Sequence, residues 1–225
     1  MSLLSAIWMV FRKDLKLELR TGEILVSTAF FSILVAVMTS LSFYLDDVTA
    51  RKVAPGVLWI SIAFSGVQAM SRSWSRERDH DVVRGLLLSP LPRPAIFLGK
   101  ALGVFSFLLL VELLLVPIVA ILYRFEMAMA FGPVLLLVVL GSAGFAAAGT
   151  LFAAMGVRTR AKELVLSVVL FPLISPALLS GVVATRELLG GASFGEVADW
   201  LRVLIAFDLI FVTMGALLFG PLVSE

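Results

Sequence analysis

The chain has 225 residues, of which 60% are hydrophobic and only 15% are charged. A water-soluble domain is about 45–50% apolar and about 25% charged, so this composition excludes an ordinary soluble protein and indicates an integral membrane protein. The lack of cysteine excludes disulfides and thiolate metal ligands, and a single histidine excludes a histidine-built metal site, whereas the net charge of +2 says little until the charges are placed along the chain.

The first 22 residues predict an amphipathic helix. Charged residues interrupt the apolar core that a cleaved signal peptide would need. One helical face is apolar and includes a tryptophan: Leu4, Trp8, Phe11, Leu15 and Leu19. Another face is basic: Lys13, Lys16 and Arg20. We expect this helix to lie in the membrane interface. The alternative is a water-exposed helical arm, whose apolar face would lack a burial partner.

Six apolar stretches are long enough to cross the membrane, since a span needs about 20 apolar residues. In chain order they are Ile24–Tyr44, Val53–Met70, Ala95–Tyr123, Met127–Met155, Leu164–Ala184 and Leu201–Val223. These runs are continuous and do not alternate between apolar and polar residues, so they predict helices and not a β-barrel. The sequence therefore predicts an all-α integral membrane protein with six transmembrane helices.

One long polar segment, residues 72–94, interrupts the apolar chain between spans two and three. Its first part carries charges of both signs and the single histidine: Arg76, Glu77, Arg78, Asp79, His80, Asp81 and Arg84. Its second part carries a helix-ending glycine, leucines and prolines, including Gly85, Leu86, Leu87 and Pro90. We expect a short charged helix with an exposed leucine face, suited to docking a soluble partner. A solvated connector is the alternative, but it would not explain the acidic residues.

Basic residues orient the spans. Thirteen of the 18 lysines and arginines lie in the N-terminal segment, in residues 72–100 and in the loop after span four, and five lie on the other side. The positive-inside rule then places both termini and the polar loop in the cytoplasm. On the outer side, the fifth loop "TRELLGGASFGEVADW" predicts one or two short surface helices.

Two acidic residues, Glu112 and Asp208, interrupt predicted spans. Charges inside a bilayer are rare and usually face the interior of a bundle. In the orientation above both lie in the outer half of the membrane at comparable depth, so they could share a polar pocket near Arg186 or Arg202. Alternatively each is neutral or reaches the membrane interface.

Spans four and five carry packing signals. Small residues recur four apart in span four, as in Gly144 and Ala148 or Gly149 and Ala153, and such spacing favours close helix approach within the chain or across a dimer. Pro172 and Pro176 in span five free backbone carbonyl groups, which predicts a bend.

These features resemble the ABC-2-type (type V) exporter permeases, which have an interfacial N-terminal helix, six spans and an acidic/basic loop between spans two and three. More narrowly, "RERDHDVVRGLLLSPLPRPAIFLGKALGVFSFLLLVELLLVPIVAILY" resembles the haem exporter protein B family. The likeness consists of an acidic cluster, Gly-Leu-Leu-x-x-Pro, a helix with an early Lys100, and a leucine-rich span with Glu112 and a proline. Further likeness lies in "GSAGFAAAGTLFAAM" and "LFPLISPALLSG".

The resemblance implies a permease subunit of the bacterial cytochrome c maturation transporter. Residues 1–225 would form one domain in the bacterial inner membrane, with residues 72–94 as the coupling loop that sits in a cleft of a separate cytoplasmic ABC ATPase. ATP would bind that subunit, and the chain itself lacks a G-x-x-x-x-G-K-[ST] motif. The implied partners are a Trp-rich haem-handling membrane protein, a periplasmic haem chaperone and a second permease copy, and haem is the implied cargo.

Other functions stay open at this stage. An ABC-2-type exporter of a drug, lipid or polysaccharide would share the architecture. An ATP-independent scaffold or intramembrane enzyme is a different class, but intramembrane hydrolysis needs paired aspartates, a Ser/His pair or a metal triad, and Glu112, Asp208 and His80 do not form such a set. For His80 we expect a polar contact to the ATPase and not haem ligation. No catalytic residue, metal site or nucleic-acid partner is predicted.

Overall fold

The computed structural model describes residues 2–43, 47–79, 85, 88–124, 127–156 and 162–224. Seven helices have described bounds: α1 (Leu3–Thr21), α2 (Glu23–Phe43), α3 (Asp47–Asp79), α4 (Arg93–Leu122), α5 (Met127–Gly156), α6 (Lys162–Leu189) and α7 (Ala198–Ser224). Gly85 and Leu88, between α3 and α4, are helical as well. The described residues include no strand. Helices α2 to α7 are each long and apolar enough to cross a membrane. The predicted all-α, six-span architecture is confirmed.

A sharp corner joins α1 to the first span. Gly22 adopts a left-handed conformation with φ 62°, and its N–H donates to the Glu18 carbonyl at 2.7 Å, which ends α1. The Glu18 side chain then accepts a hydrogen bond from the Leu25 N–H at 2.8 Å, satisfying a free amide in the first turn of α2. Only one residue therefore separates α1 from a membrane span.

The charged segment that starts at Arg72 differs from its prediction at its beginning, because its first residues continue α3, which runs unbroken from Asp47 to Asp79. Gly85 and Leu88 are helical as well, and residues 80–84, 86 and 87 lie outside the described part of the chain, so the short helix of this segment stays a prediction. No glycine or proline interrupts residues 71–79, and the buried Trp74 holds this end of the helix against the bundle.

The fifth loop also differs from its prediction. Its first residues belong to the end of α6 and its last residues to the start of α7, and the remaining residues 190–197 form a turn without a helix of its own. Gly191, with φ 93°, turns the chain away from α6. Glu196 accepts hydrogen bonds from the Ser193 N–H at 2.6 Å and from its hydroxyl at 2.9 Å, and these bonds lower the pKa of Glu196.

Helix α5 is the most buried of the described spans and contacts α3, α4, α6 and α7. Its glycines receive large side chains of its neighbours: Gly141 faces Trp59 of α3, Gly144 faces Phe207 of α7 and Gly149 faces Met70 of α3. The predicted packing role of the small residues in span four is confirmed within the chain.

The prolines of α6 are accommodated without a break in the helix. Pro176 cannot donate to the carbonyl of Pro172, and the Ser175 hydroxyl donates to that carbonyl instead at 2.7 Å. A neighbouring hydroxyl thus satisfies a carbonyl that the sequence predicts to be free.

We expect Gly141→Ala to destabilise the protein, because an added methyl group would overlap the Trp59 ring. Overpacking of this kind costs about 1–3 kcal/mol. Gly132→Ala in the same helix is the matched control, since its added methyl group meets nothing within 4 Å. Thermal unfolding in detergent should show a lower midpoint for Gly141→Ala only. Equal midpoints for the two variants would contradict this account of the α3–α5 contact.

Candidate functional site

The connection between α3 and α4 contains the residues predicted to couple to a partner. Residues 76–79 belong to the last turns of α3, where only their backbone is described. Gly85 and Pro90 are exposed, and the Ser89 N–H donates to the Gly85 carbonyl at 3.1 Å. The predicted site residues His80, Asp81, Arg84, Leu86 and Leu87 lie outside the described part of the chain.

Leu88 shows that this connection presents apolar surface. Its side chain is 80% exposed, and Pro92 and Arg93 follow at the start of α4, where the Pro92 carbonyl accepts from the Ala95 N–H at 2.9 Å. Leu88 is therefore an apolar side chain that is open to contacts outside the described part of the chain.

An aromatic cluster lies directly beneath the connection. The rings of Trp74 in α3 and Phe219 in α7 are 6.3 Å apart, and those of Phe97 in α4 and Phe219 are 5.9 Å apart. All three side chains are buried. Gly215 of α7 lets Phe97 pack against its backbone. The ends of α3, α4 and α7 are therefore packed together at the base of the connection.

A buried ion pair joins α1 to α4 beside the aromatic cluster. The Lys100 ammonium lies 2.9 Å from Asp14 Oδ2, with the two side chains 2% and 7% exposed. Lys13 approaches the other carboxylate oxygen at 3.0 Å. The Lys100 ammonium also lies 5.8 Å from the centre of the Trp74 ring, within the range of a cation–π interaction. This ion pair therefore connects α1 and α4 to the aromatic cluster.

Two glycines of α4 make this approach feasible. A Cβ at Gly99 would lie 2.6 Å from Val10 Cβ and 2.9 Å from the Ile7 carbonyl oxygen, and one at Gly103 would lie 3.5 Å from Asp14. The two backbones are thus too close for a larger residue at position 99. A second ion pair, Arg72 to Glu23 at 3.2 Å, ties α3 to the start of α2 at the same end of the bundle.

The ion pair was not predicted from the sequence. Lys100 was interpreted as a basic residue of the cytoplasmic side and as part of the family resemblance, and Asp14 is one of the charged residues that interrupt a signal-like core. The buried face of α1 carries Ala6, Val10, Asp14 and Glu18 and not the apolar stripe that includes Leu4 and Trp8. The buried residues of α1 are spaced four apart, as are Gly99 and Gly103 of α4, and this shared spacing is the signal that could have identified the contact.

Glu112 is buried inside the bundle. Its Oε1 accepts a hydrogen bond from the Ser142 hydroxyl of α5 at 2.5 Å, and its Oε2 has no hydrogen-bond partner among the described residues. Asp208 of α7 contacts Gly144 of α5, and within the same described ranges its Oδ1 likewise has no hydrogen-bond partner. Each acid therefore faces α5.

The two carboxyl groups do not form one pocket. Positions 142 and 144 differ in depth by only about 3 Å. Each residue turns the helix by about 100°, so these two positions lie on nearly opposite sides of α5. Arg202 pairs instead with its own helix neighbour Asp199 at 2.5 Å. The prediction that Glu112 and Asp208 share one polar pocket near Arg202 is therefore wrong.

The described chain is a multi-pass membrane protein built from one six-span helical unit, with a second-to-third-span connection whose base is packed against α1, α4 and α7. A family model described as CcmB protein matches residues 5–222. The chain belongs to the CcmB family.

Relatives in the family carry the name Heme exporter protein B. The protein of Bradyrhizobium diazoefficiens is 23% identical over 213 residues, which is 94% of both chains. That of Paracoccus denitrificans is 26% identical over 180 residues, 80% of this chain and 82% of the relative. The Escherichia coli K12 protein is 26% identical over 96 residues, so the alignment spans 43% of this chain and only 44% of that relative.

We expect Asp14→Leu to destabilise the protein, because it removes the carboxylate that lies 2.9 Å from the buried Lys100 ammonium. Removing one partner of a buried pair costs about 3–5 kcal/mol, whereas replacing both by apolar residues is often neutral. The double variant Asp14→Leu/Lys100→Met should therefore unfold at a higher temperature than Asp14→Leu alone.

The exposed pair of Asp199 and Arg202 supplies the control. Asp199→Leu should change stability by less than about 1 kcal/mol, since exposed pairs contribute little. A double variant that is no more stable than Asp14→Leu would contradict the assignment of stability to the buried pair.

Proposed function

We propose that the protein is the permease subunit of an ABC transporter for cytochrome c biogenesis. The observation that carries this proposal is the CcmB family match over residues 5–222, joined to relatives named Heme exporter protein B. ATP is hydrolysed by a separate cytoplasmic subunit, and the permease turns the motion of that subunit into rearrangement of its spans. Its role is haem export or release of a haem-loaded periplasmic chaperone.

The α3–α4 connection is the proposed docking segment for the ATPase. It carries charges of both signs in residues 76–84 and apolar surface at the exposed Leu88. Unlike a solvated connector, it begins on the rigid end of a 33-residue helix, and the buried Trp74 lies five residues before that end. A force applied to the segment therefore acts directly on packed side chains.

Contacts beneath the segment supply the proposed route into the membrane. Trp74 lies against Phe219 of α7 and near Lys100 of α4, and Lys100 is paired with Asp14 of α1. Displacement of the end of α3 would thus move three further helices at once. Coupling in proteins travels through such contiguous packing.

The proposed orientation places this end of the bundle in the cytoplasm of a bacterium, in its inner membrane. The support is the distribution of lysine and arginine, thirteen of 18 of which belong to the segments on this side. The packing of α1, the α3–α4 connection and the end of α7 at one end agrees with both termini lying on one side.

Glu112 and Asp208 are proposed as gating or partner-contact residues of the permease. In the part of the chain that the structure describes, each has a carboxylate oxygen without a hydrogen-bond partner and lies against the buried helix α5. A movement of α4 or α7 relative to α5 would change the surroundings of one acid without affecting the other, because they lie on different sides of α5.

Purification in a mild detergent from the native membrane, with mass spectrometry of the proteins that come with the chain, tests this function. We expect an ABC ATPase together with a Trp-rich haem-handling membrane protein, and a second permease copy. An ATPase without the haem-handling protein would indicate an exporter of another cargo, such as a drug, lipid or polysaccharide. Lack of any ATPase, while other membrane complexes survive, would overturn the proposal.

Reversal of the loop charges tests the docking segment. We expect Glu77→Lys/Asp79→Lys to insert normally, since added positive charge strengthens the inside-positive bias, but to lose the ATPase and to abolish production of c-type cytochromes. Glu77→Asp/Asp79→Glu keeps the charges at the same positions and should retain both. Unchanged ATPase binding and cytochrome production in the reversed variant would remove the proposed role of this segment.

A further inference from the structure

Helix α1 has three distinct faces. Its first face, formed by Ala6, Val10, Asp14 and Glu18, is buried against the bundle. Its second is the apolar stripe that includes Leu4, Trp8 and Leu19, which are 77%, 58% and 73% exposed. Its third face is basic. We call its exposed residues Arg12, Lys16 and Arg20 the basic row. Two of the three faces are thus available to surroundings outside the chain.

The fold fixes the level of α1 relative to the membrane. Gly22 is the only residue between α1 and the span α2, so the end of α1 lies at the membrane boundary. The buried face of α1 packs on Gly99, Lys100 and Gly103, which lie within the first eleven residues of the span α4. The exposed apolar stripe is therefore held at the edge of the bilayer along its length.

The basic row runs beside the apolar stripe. Trp8, Arg12, Lys16 and Arg20 are spaced four residues apart, which aligns their side chains along one side of the helix at intervals of about 6 Å. A shallow groove at the start of this row is lined by Ser5, Trp8, Met9, Arg12, Lys13 and Lys16. No carboxylate in the described part of the chain pairs with Arg12, Lys16 or Arg20.

We propose that α1 binds anionic phospholipid headgroups of the leaflet that it lies on, through Arg12, Lys16 and Arg20. Acyl chains cover the apolar stripe, and headgroup phosphates meet the basic row beside it. A soluble acidic partner would satisfy the charges but would leave Leu4, Trp8 and Leu19 uncovered at the bilayer edge. A bilayer supplies both surfaces side by side, and it is continuous with the lipid around the six spans.

This proposal goes beyond the proposed function, because it concerns lipid selectivity and does not involve the ATPase. It predicts that anionic lipid is enriched around α1 relative to zwitterionic lipid. Each basic residue near an anionic surface favours binding by about fivefold. The enrichment should weaken as salt is added, because headgroup contacts are screened.

Quenching of tryptophan fluorescence by brominated lipids provides the test. The full chain is placed in nanodiscs of phosphatidylglycerol and phosphatidylcholine in which only one of the two lipids carries brominated acyl chains, at equal mole fraction. The signal of Trp8 is the difference between the native chain and Trp8→Phe, since subtraction removes the contributions of the buried Trp59 and Trp74 and of the half-buried Trp200. We expect brominated phosphatidylglycerol to quench this signal roughly fivefold more effectively than brominated phosphatidylcholine.

In the charge-removing variant Arg12→Gln/Lys16→Gln/Arg20→Gln, the two brominated lipids should quench the Trp8 signal equally. The matched control is Arg51→Gln/Lys52→Gln/Arg202→Gln, which removes the same charge from exposed positions at the other end of the spans and should keep the preference. Equal quenching in the native chain, or a preference that survives removal of the basic row, would overturn the proposal. A Trp8 signal that neither lipid quenches would show that α1 lies in water and would overturn it as well. None of these outcomes depends on an ATPase, so they are separate from those of the purification experiment.

Discussion

Close approach of helix backbones at α5 is the contact on which the rest of this bundle depends. Lipid is as apolar as leucine, so membrane helices gain little from the hydrophobic effect when they associate and depend on van der Waals packing. Helix α5 supplies this packing because Gly141, Gly144 and Gly149 each receive a large side chain from a neighbouring helix. These side chains come from α3 and α7, so the positions of α3 and α7 relative to α5, the most buried of the described spans, are set by how deeply the side chains enter it.

Polar side chains are distributed unevenly around α5. The ion pairs that join different helices lie at the end of the bundle that holds the α3–α4 connection, where Asp14 meets Lys100 and Glu23 meets Arg72, whereas the exposed pair of Asp199 and Arg202 at the other end lies within α7. Deeper in the membrane, Glu112 has a hydroxyl donor from Ser142, and no cation is paired with Glu112 or Asp208 in the described chain. Charge at the bilayer centre costs about 2.5–3.5 kcal/mol, which agrees with paired charges at the boundary and with only two acidic residues within the spans.

Composition and hydropathy were sufficient to predict the class, the six spans and the packing role of the small residues, because length and apolarity alone define a membrane helix. They were not sufficient to predict which faces meet. The apolar stripe of α1 predicted its contact with lipid, but the protein contact uses Ala6 and Asp14, which a hydrophobicity pattern does not mark. The end of α3 was missed because arginine and glutamate are polar but good helix formers, so α3 continues beyond its span to Asp79.

The placement of Lys100 has a consequence for the proposed coupling. An ion pair alone would let α1 follow α4, and an aromatic contact alone would let α7 follow α3. Because the Lys100 ammonium lies near Trp74 as well as beside Asp14, the two contacts share one side chain, and neither helix pair can move without changing the surroundings of the other. The packed interior resists continuous deformation, so such a shared contact favours two discrete arrangements over a graded one. In the proposed transporter, that property would let a small displacement at the docking segment reposition α1, α4 and α7 together.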